Sequence, residues 1–182
     1  VLFAPSNEWM NREPFLVQSI YESPDGGVTD SRGRPISGII DQISGDMIEV
    51  VDRLVKALNR ADSSGGVVVL TQFDFVRHPL MVQLLSESTR RGYVSTAIDE
   101  IHRRVADHAA EINDSAGRTL VSVARSDEAL RKVWSTADGR YVTAAGVRLD
   151  YMRHTTSGDP HFLALAPTGG SAHMGTIGNG GY

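Results

Sequence analysis

The sequence predicts an α/β fold with a mainly parallel or mixed sheet and helices on both faces. Three observations lead to this prediction. Apolar runs typical of strands alternate with amphipathic stretches typical of helices, the links between them are short, and the composition is that of an ordinary globular protein, with 41% hydrophobic and 22% charged residues. We divide the 182 residues into an N-terminal arm and loop (1–38), an α/β domain (39–168) and a glycine-rich C-terminal tail (169–182).

The first half of the chain predicts one loop, one long helix and one strand. Proline, glycine and aspartate cluster over about 22–38, which is typical of a surface loop. Apolar residues recur with helical spacing over 44–60, and we expect Ser44 or Asp46 to be the N-cap. Val67–Leu70 is a continuous, mostly β-branched run, so we expect a strand that is buried on both faces.

The next segment predicts a helix and then a second strand. Pro79 fits the first turn of a helix, and Gly92 fits the position just beyond its end. Arg90 and Arg91 would then occupy the last turn, where the helix dipole favours cations. Tyr93–Ile98 follows as a short apolar run, which we interpret as the second strand of a βαβ unit.

The remaining elements continue the alternation. A polar helix is predicted over Asp99–Asn113, and a third strand is predicted over Thr119–Ala124. Ser126 is the expected N-cap of a helix that runs to about Ser135. Val147–Met152 and His161–Ala166 are two further strand candidates.

Composition and motifs exclude several classes of protein. The chain has no cysteine, which excludes disulfides, thiolate metal sites and a cysteine nucleophile. No apolar run approaches the roughly 20 residues of a membrane-spanning helix, and the net charge of −4 gives no indication of nucleic-acid binding. The motifs of P-loop hydrolases, dinucleotide-binding folds, zinc proteases and nucleophile-elbow hydrolases are absent, and we expect neither a cofactor nor a metal site.

Two of the six histidines, His102 and His108, lie on the helix predicted over 99–113. Asp99 and Glu111 are each three residues away from one of them. The helical rotation between the two imidazoles leaves them about 120° apart, so one metal ion would not be held by both. We expect both side chains on a solvent-exposed face.

A polar segment follows the first predicted strand. It contains Asp74, Arg77 and His78. Because ligands of open α/β sheets bind beyond the carboxyl ends of strands, Arg77 is a candidate to bind an anion. The alternative is that Arg77 pairs with Asp74 and that His78 caps the next helix.

The densest set of candidate residues is near the C-terminus. His154 and His161 flank a turn, and the small residues Gly170 and Ser171 shortly precede His173. A glycine-rich loop allows backbone N–H groups to approach a phosphate. The alternative is a hairpin and tail whose polar residues face water.

The order of these segments resembles the phospholipase D-like superfamily, which includes small nucleases and the C-terminal domains of polyphosphate kinases. The run over 67–99 is similar to that family's strand, helix, Arg-Gly pair and second strand that ends on an acid. The run over 144–151 is similar to the strand that leads into the family's catalytic motif. The run over 161–165 is similar to the motif strand, and the run over 170–173 is similar to the turn of small residues after it. The resemblance covers roughly residues 40–182.

The resemblance implies phosphodiester chemistry. In the family, a histidine two residues before a lysine attacks phosphorus, and the lysine neutralises the phosphoryl oxygens. Here Asp159 and His161 occupy those two positions, and the usual asparagine of the turn is His173. Only two of the 18 basic residues are lysines, Lys56 and Lys132, and neither is near this motif. Either the chain is a degenerate or unrelated copy, or His161 and His173 serve a reshaped site.

Two functional hypotheses follow. The first is a domain that handles phosphate esters, as a divergent phosphodiesterase that uses histidine for nucleophilic or acid–base chemistry. The second is a non-catalytic subunit of a homo-oligomeric assembly, such as a virion or secretion component; a chain that starts at Val1 is expected to be processed or part of a longer one. For the first, the catalytic candidates are His161, His154 and His173, and the anion-binding candidates are Arg77, Arg153, Gly170 and Ser171.

Overall fold

The computed structural model describes eight stretches of the chain, namely residues 2–3, 16–61, 64–71, 85–125, 140–142, 148–150, 162–164 and 170–174. The chain forms two compact units, which we treat separately. The first unit comprises Val1–Gln72 and Thr89–Arg125, and the second comprises Phe73–Ser88 and Ser126–Tyr182.

The first unit contains a small parallel sheet. Its strands are β1 (Leu2–Phe3), β2 (Val67–Leu70) and β3 (Val121–Ala124), in the order β1-β2-β3. Leu2 pairs with Val69 on one side of β2, and Val67 pairs with Val121 on the other. Parallel neighbours require long crossover connections, and helices supply them here. The strands predicted over 67–70 and 119–124 are confirmed, the second over Val121–Ala124.

Among the described residues, the connections of this sheet contain the helices α1 (Leu16–Tyr21), α2 (Ile36–Arg60) and α3 (Ser88–Ala116). The buried core is formed mainly by apolar residues of α2 and α3 together with alternate residues of β2 and β3. Val94, Ile98 and Ile101 of α3 are completely buried. None of the described helices is long and apolar enough to cross a membrane.

Helix α2 begins earlier than the sequence predicts. The loop ends at Pro35 instead of residue 38, and the helix starts at Ile36 instead of residue 44. Ser44 is therefore not an N-cap: it is buried within the helix, and its hydroxyl donates to the carbonyl of Ile40 at 2.7 Å. Asp46 likewise lies inside the helix. The fixed φ of proline (−60° at Pro35) sets the chain direction where the helix begins.

Helix α3 replaces a predicted strand. Tyr93–Ile98 is helical, and the predicted helix over Asp99–Asn113 is confirmed as the continuation of the same element. Arg90, which we expected in the last turn of a helix, lies in the first turn of α3. Its guanidinium donates to the carbonyl of Tyr21 at 2.7 Å and so caps the end of α1. Gly92 is inside α3 and terminates no helix.

The sheet of the first unit is buried on one face only. Val67, Val69 and Val121 are buried, whereas Val68 keeps 37% of its surface exposed and Ser122 is exposed. The expectation of a β2 strand buried on both faces is therefore wrong. Helices on both faces of the sheet stay a prediction, because much of the two helices predicted from Pro79 and Ser126 lies outside the described residues. The buried face is that of Val67 and Val69, and helix α2 contacts strand β2.

The described part of the second unit contains two antiparallel strand pairs. Strand β4 (Arg140–Val142) pairs with β5 (Arg148–Asp150), and β6 (Phe162–Ala164) pairs with β7 (Gly170–Met174). The strand candidates over 147–152 and 161–166 are confirmed over β5 and β6. The helix predicted from Ser126 lies outside the described residues, as does the part of the helix predicted from Pro79 that precedes residue 85. Residues 85–87 of that predicted helix are not helical.

Candidate functional site

All seven candidate residues for phosphate chemistry belong to the second compact unit. Three of them lie within described backbone, on strand β7, and the other four lie outside the described residues. The three on β7 are Gly170, Ser171 and His173, and the four outside are Arg77, Arg153, His154 and His161. Asp74 and His78 also lie outside. The phosphate-ester hypothesis predicts that His161, His173 and at least one of Arg77 or Arg153 converge in one pocket, and this stays a prediction.

The pairing of β6 with β7 joins two segments that the hypothesis needs. Phe162, which directly follows His161 in the sequence, is the register partner of Met174, which directly follows His173. At the other end of the pair, Ala164 is the partner of Gly170, with an irregularity in register between the two. Strand β6, which begins directly after His161 in the sequence, is thus a neighbour of β7, which contains His173.

Gly170 and Ser171 do not form the expected turn. Both belong to β7, where their backbone is extended and takes part in the antiparallel pair. A strand does not curl its successive N–H groups around one point as a phosphate-binding nest does. The turn expected at these residues is therefore wrong, and their role in binding an anion stays a prediction.

The two histidines of α3 have different surroundings, and neither is on a fully exposed face. His102 is 1% exposed and packs inside the core, so the expectation of solvent exposure is wrong for it. His108 is half-buried and reaches across to α2, where its Nε2 lies 2.7 Å from Asp52 Oδ1. Its Nδ1 lies 3.6 Å from Glu111 Oε2 on the same helix. Both imidazoles therefore contribute to packing between elements of the first unit.

A buried aspartate organises the loop before α2. Asp30 is 1% exposed, and its Oδ1 accepts the backbone N–H groups of Arg32 (2.9 Å) and Arg34 (2.7 Å). Its Oδ2 accepts Nε of Arg34 at 2.7 Å. Burial raises the pKa of Asp30, but the hydrogen bonds from Arg34 and Arg32 outweigh it and hold the pKa below its usual range. Asp30 is thus an ionised structural group at neutral pH.

A second aspartate, Asp25, holds the preceding turn. Its carboxylate accepts the backbone N–H of Thr29 at 2.8 Å and the Thr29 hydroxyl at 2.7 Å. These two bonds are the main reason that the pKa of Asp25 is lowered to about 2. Gly27 in this turn has φ +95°, and a Cβ there would lie 3.3 Å from the side chain of Tyr93. Only glycine meets both conditions without strain.

An open cleft of about 280 Å³ lies between α1 and the loop that contains Asp30. Its charged residues are two arginines and two carboxylates, and one of each is already paired in the Asp30–Arg34 contact. The net charge of the lining is zero, so the cleft does not attract phosphate by charge alone. The cleft is lined by Gln18, Ser19, Glu22, Asp30, Ser31, Arg32 and Arg34.

A cluster of ion pairs joins α3 to α2. Glu100 accepts hydrogen bonds from Arg103 at 2.7 and 2.8 Å and from Arg104 at 2.9 Å. Arg104 also pairs with Asp41 of α2. The Arg103 hydrogen bonds, followed by that of Arg104, lower the pKa of Glu100 to about 2. The i,i+3 and i,i+4 spacing of Glu100 with the two arginines is visible in the sequence, although we did not single it out.

Within the part of the chain that the structure describes, no group of three His, Asp or Glu side chains is arranged to hold a metal ion. The local arrangements described above are structural ones, and the functional candidates are those of the second unit. Comparison with known proteins found no matching protein-family model, no matching curated protein and no matching solved structure.

Proposed function

We propose that the chain is a phosphate-ester-handling domain, a divergent phosphodiesterase that uses histidine side chains. The observation that supports this most is the β6–β7 pairing. It makes neighbours of the segment that begins after His161 and the segment that contains His173. Two histidines on adjacent segments are the minimum that a two-step displacement at phosphorus needs.

The proposed reaction assigns one imidazole as the nucleophile and another as the acid. A neutral ring nitrogen of His161 attacks phosphorus and forms an N–P bond, while the P–O bond to the leaving group breaks. The leaving oxygen takes a proton from the second imidazole, that of His173 or His154. In the second step, a water molecule gives a proton to that same imidazole and its oxygen attacks phosphorus. The N–P bond breaks, and both histidine side chains return to their starting states. The histidine pKa range suits both steps at neutral pH.

Arginine is the proposed source of positive charge. The phospholipase D-like pattern that the sequence resembles uses a lysine to neutralise the phosphoryl oxygens, and this chain has no lysine after Lys132. Arg77 and Arg153 belong to the same compact unit as the histidines, and a guanidinium binds two phosphoryl oxygens at once. Membership of that superfamily is part of the proposal.

The experiment is hydrolysis of bis(p-nitrophenyl) phosphate by the whole chain, followed by p-nitrophenolate absorbance. We expect activity that falls at least about a hundredfold in His161→Ala, since a nucleophile is lost, and at least about tenfold in Arg153→Ala. Arg53→Ala is the matched control, because Arg53 is an exposed arginine of α2 in the other unit. Activity equal in His161→Ala and the wild type contradicts the proposal.

The second functional hypothesis, a non-catalytic subunit of a homo-oligomeric assembly, gives the opposite result in this assay. It predicts no hydrolysis above the buffer rate by the wild type or by any variant. It also predicts self-association of the whole chain, which size-exclusion chromatography with light scattering measures.

A further inference from the structure

Strand β3 is an edge strand of the parallel sheet in the part of the chain that the structure describes. The carbonyls of Leu120, directly before β3, and of Ala124 accept backbone N–H groups from the β2 side, at 2.7 and 3.1 Å. Successive residues of a strand direct their N–H and C=O groups alternately to its two sides. The backbone groups of Val121 and Val123 therefore point away from β2, and we call this side of the strand the β3 edge.

A side-chain carboxamide occupies the β3 edge at Val121. The side-chain oxygen of Asn113 accepts the N–H of Val121 at 2.9 Å, and its amide nitrogen donates to the carbonyl of the same residue at 2.8 Å. A neighbouring antiparallel strand makes the same exchange, one accepted and one donated bond with a single residue. The side chain of Asn113 therefore takes the place that a further strand would have.

The turn between α3 and β3 holds this carboxamide in place. Gly117, directly after α3, has φ +63°, a left-handed conformation typical of the residue that follows a helix. The turn returns the chain to the last part of α3, where the Asn113 oxygen also accepts the N–H of Leu120 at 2.7 Å. Because Val121 is 2% exposed and Asn113 is half-buried, the bonds between them are largely shielded from water.

We propose that Asn113 guards the β3 edge against pairing with the same edge of a second copy of this chain. An open edge strand is a template for strand addition, and proteins commonly block such edges with charged residues or proline. Strand β3 contains neither, since its sequence is Val-Ser-Val-Ala. When the carboxamide is removed, the backbone groups of Val121 and Val123 form one continuous edge, which pairs antiparallel with its copy across a two-fold axis.

The first experiment compares the self-association of Asn113→Ala with that of an equally destabilised variant. Val105→Ala is the matched control, because it removes buried methyl groups from the same helix and leaves Asn113 in place. Each whole-chain protein is held the same number of degrees below its own melting temperature. Size-exclusion chromatography with light scattering then gives its mass over about a hundredfold range of concentration.

We expect Asn113→Ala to associate at a concentration at least about tenfold lower than the wild type and Val105→Ala. A proline on the edge separates an open edge from lost stability: the N–H of Val123 points away from β2, so Val123→Pro denies the edge a donor and removes no bond to β2. The double variant Asn113→Ala/Val123→Pro should associate within about threefold of the wild type, although it is no more stable than Asn113→Ala. Equal association of Asn113→Ala and Val105→Ala, or a double variant that associates like Asn113→Ala, overturns the proposal.

A peptide probe tests the edge without the double variant. The peptide has the sequence of residues 119–125, which contain β3, and carries a fluorophore, so that anisotropy measures its binding to the whole chain. In the wild type the carboxamide of Asn113 competes with the peptide for the backbone groups of Val121. We expect the peptide to bind Asn113→Ala at least about tenfold more tightly than the wild type or Val105→Ala. Equal affinity for Asn113→Ala and the wild type overturns the proposal.

Discussion

Asn113 joins the end of α3 to the beginning of β3, and its replacement is the sharpest stability test in the first unit. Its side-chain oxygen accepts the backbone N–H groups of Leu120 (2.7 Å) and Val121 (2.9 Å), and its amide donates to the carbonyl of Val121 at 2.8 Å. Leu120 and Val121 are 4% and 2% exposed. Asn113→Ala therefore removes the partner of three backbone groups at a buried strand end.

The expected loss follows from those three bonds. Each contributes about 1 kcal/mol net, so together they contribute roughly 3 kcal/mol. Alanine has the higher helix propensity, and Asn113 is within α3, so about 0.6 kcal/mol is returned. The free energy of unfolding of Asn113→Ala should be lower than that of the wild type by about 2–3 kcal/mol. Water that hydrogen-bonds to the backbone groups left without a partner keeps the loss of unfolding free energy near the lower end of this range.

Urea unfolding followed by circular dichroism measures this difference. Asn59→Ala is the control, because Asn59 is an exposed asparagine of α2, and its free energy of unfolding should stay within about 0.5 kcal/mol of the wild type. Asn113→Asp keeps the acceptor for the two N–H groups and loses the donor, so it should fall between Asn113→Ala and the wild type. A loss below about 0.5 kcal/mol in Asn113→Ala would refute the assigned role of this side chain.

Further predictions concern glycines and charge in the same unit. Gly66→Ala should lower the free energy of unfolding by about 1–3 kcal/mol, because its Cβ would lie 2.9 Å from the carbonyl oxygen of Leu120. Gly45→Ala should raise the free energy of unfolding by about 0.5–1 kcal/mol, since Gly45 is inside α2 and a Cβ there meets nothing within 4 Å. Urea unfolding checks both predictions, because the midpoint should shift down in Gly66→Ala and up in Gly45→Ala. Glu100 has a pKa lowered from 4.5 to about 2, so its stabilisation is complete above pH 4.5 and is lost as the pH falls towards 2. Glu100→Gln should flatten the stability profile in that window alone, and a profile unchanged from the wild type would contradict the role of its ion pairs with Arg103 and Arg104.

The sequence predicts strands β2 and β3 of the parallel sheet better than the boundaries of its helices, whereas β1 lies in the predicted N-terminal arm and was not predicted. Val67–Leu70 is a β-branched run bounded by glycine, and no helical period passes through it. Tyr93–Ile98 also looks like a short strand, because six residues do not distinguish a strand from a buried helix. The deciding residues are Ile101 and Val105, which continue the helical spacing of Val94 and Ile98 and are buried with them.

The start of α2 was missed for a related reason. Ile36, Ile39 and Ile43 are all buried and extend the apolar stripe of the helix towards its N-terminus. Gly38 and Gly45 lower the helix propensity of this stretch by about 1 kcal/mol each relative to alanine, which makes its sequence resemble a loop. Burial of the isoleucines outweighs that cost, and burial is a property of the tertiary structure.

Hydrogen bonds between residues close in the sequence can be predicted from the sequence, whereas contacts between separate helices and strands cannot. Asp30 bonds to N–H groups two and four residues ahead, a spacing typical of aspartate in turns. The contact of His108 with Asp52 joins residues 56 positions apart and depends on how two helices pack. The pairing of β6 with β7 joins two consecutive strands; the first was predicted as a strand, whereas a turn was expected where the second lies.

The central claim is that the second unit binds a phosphoryl group. The most direct measurement is isothermal titration of the whole chain with inorganic phosphate at pH 7, for the wild type, Arg77→Ala and Arg153→Ala, with Arg53→Ala as the control. The account predicts a saturable heat for the wild type and the control, and affinity at least about tenfold weaker in each of the other two variants, since each removes a charge-assisted contact. A wild type that binds no phosphate, or an affinity that is the same in all four proteins, would contradict it.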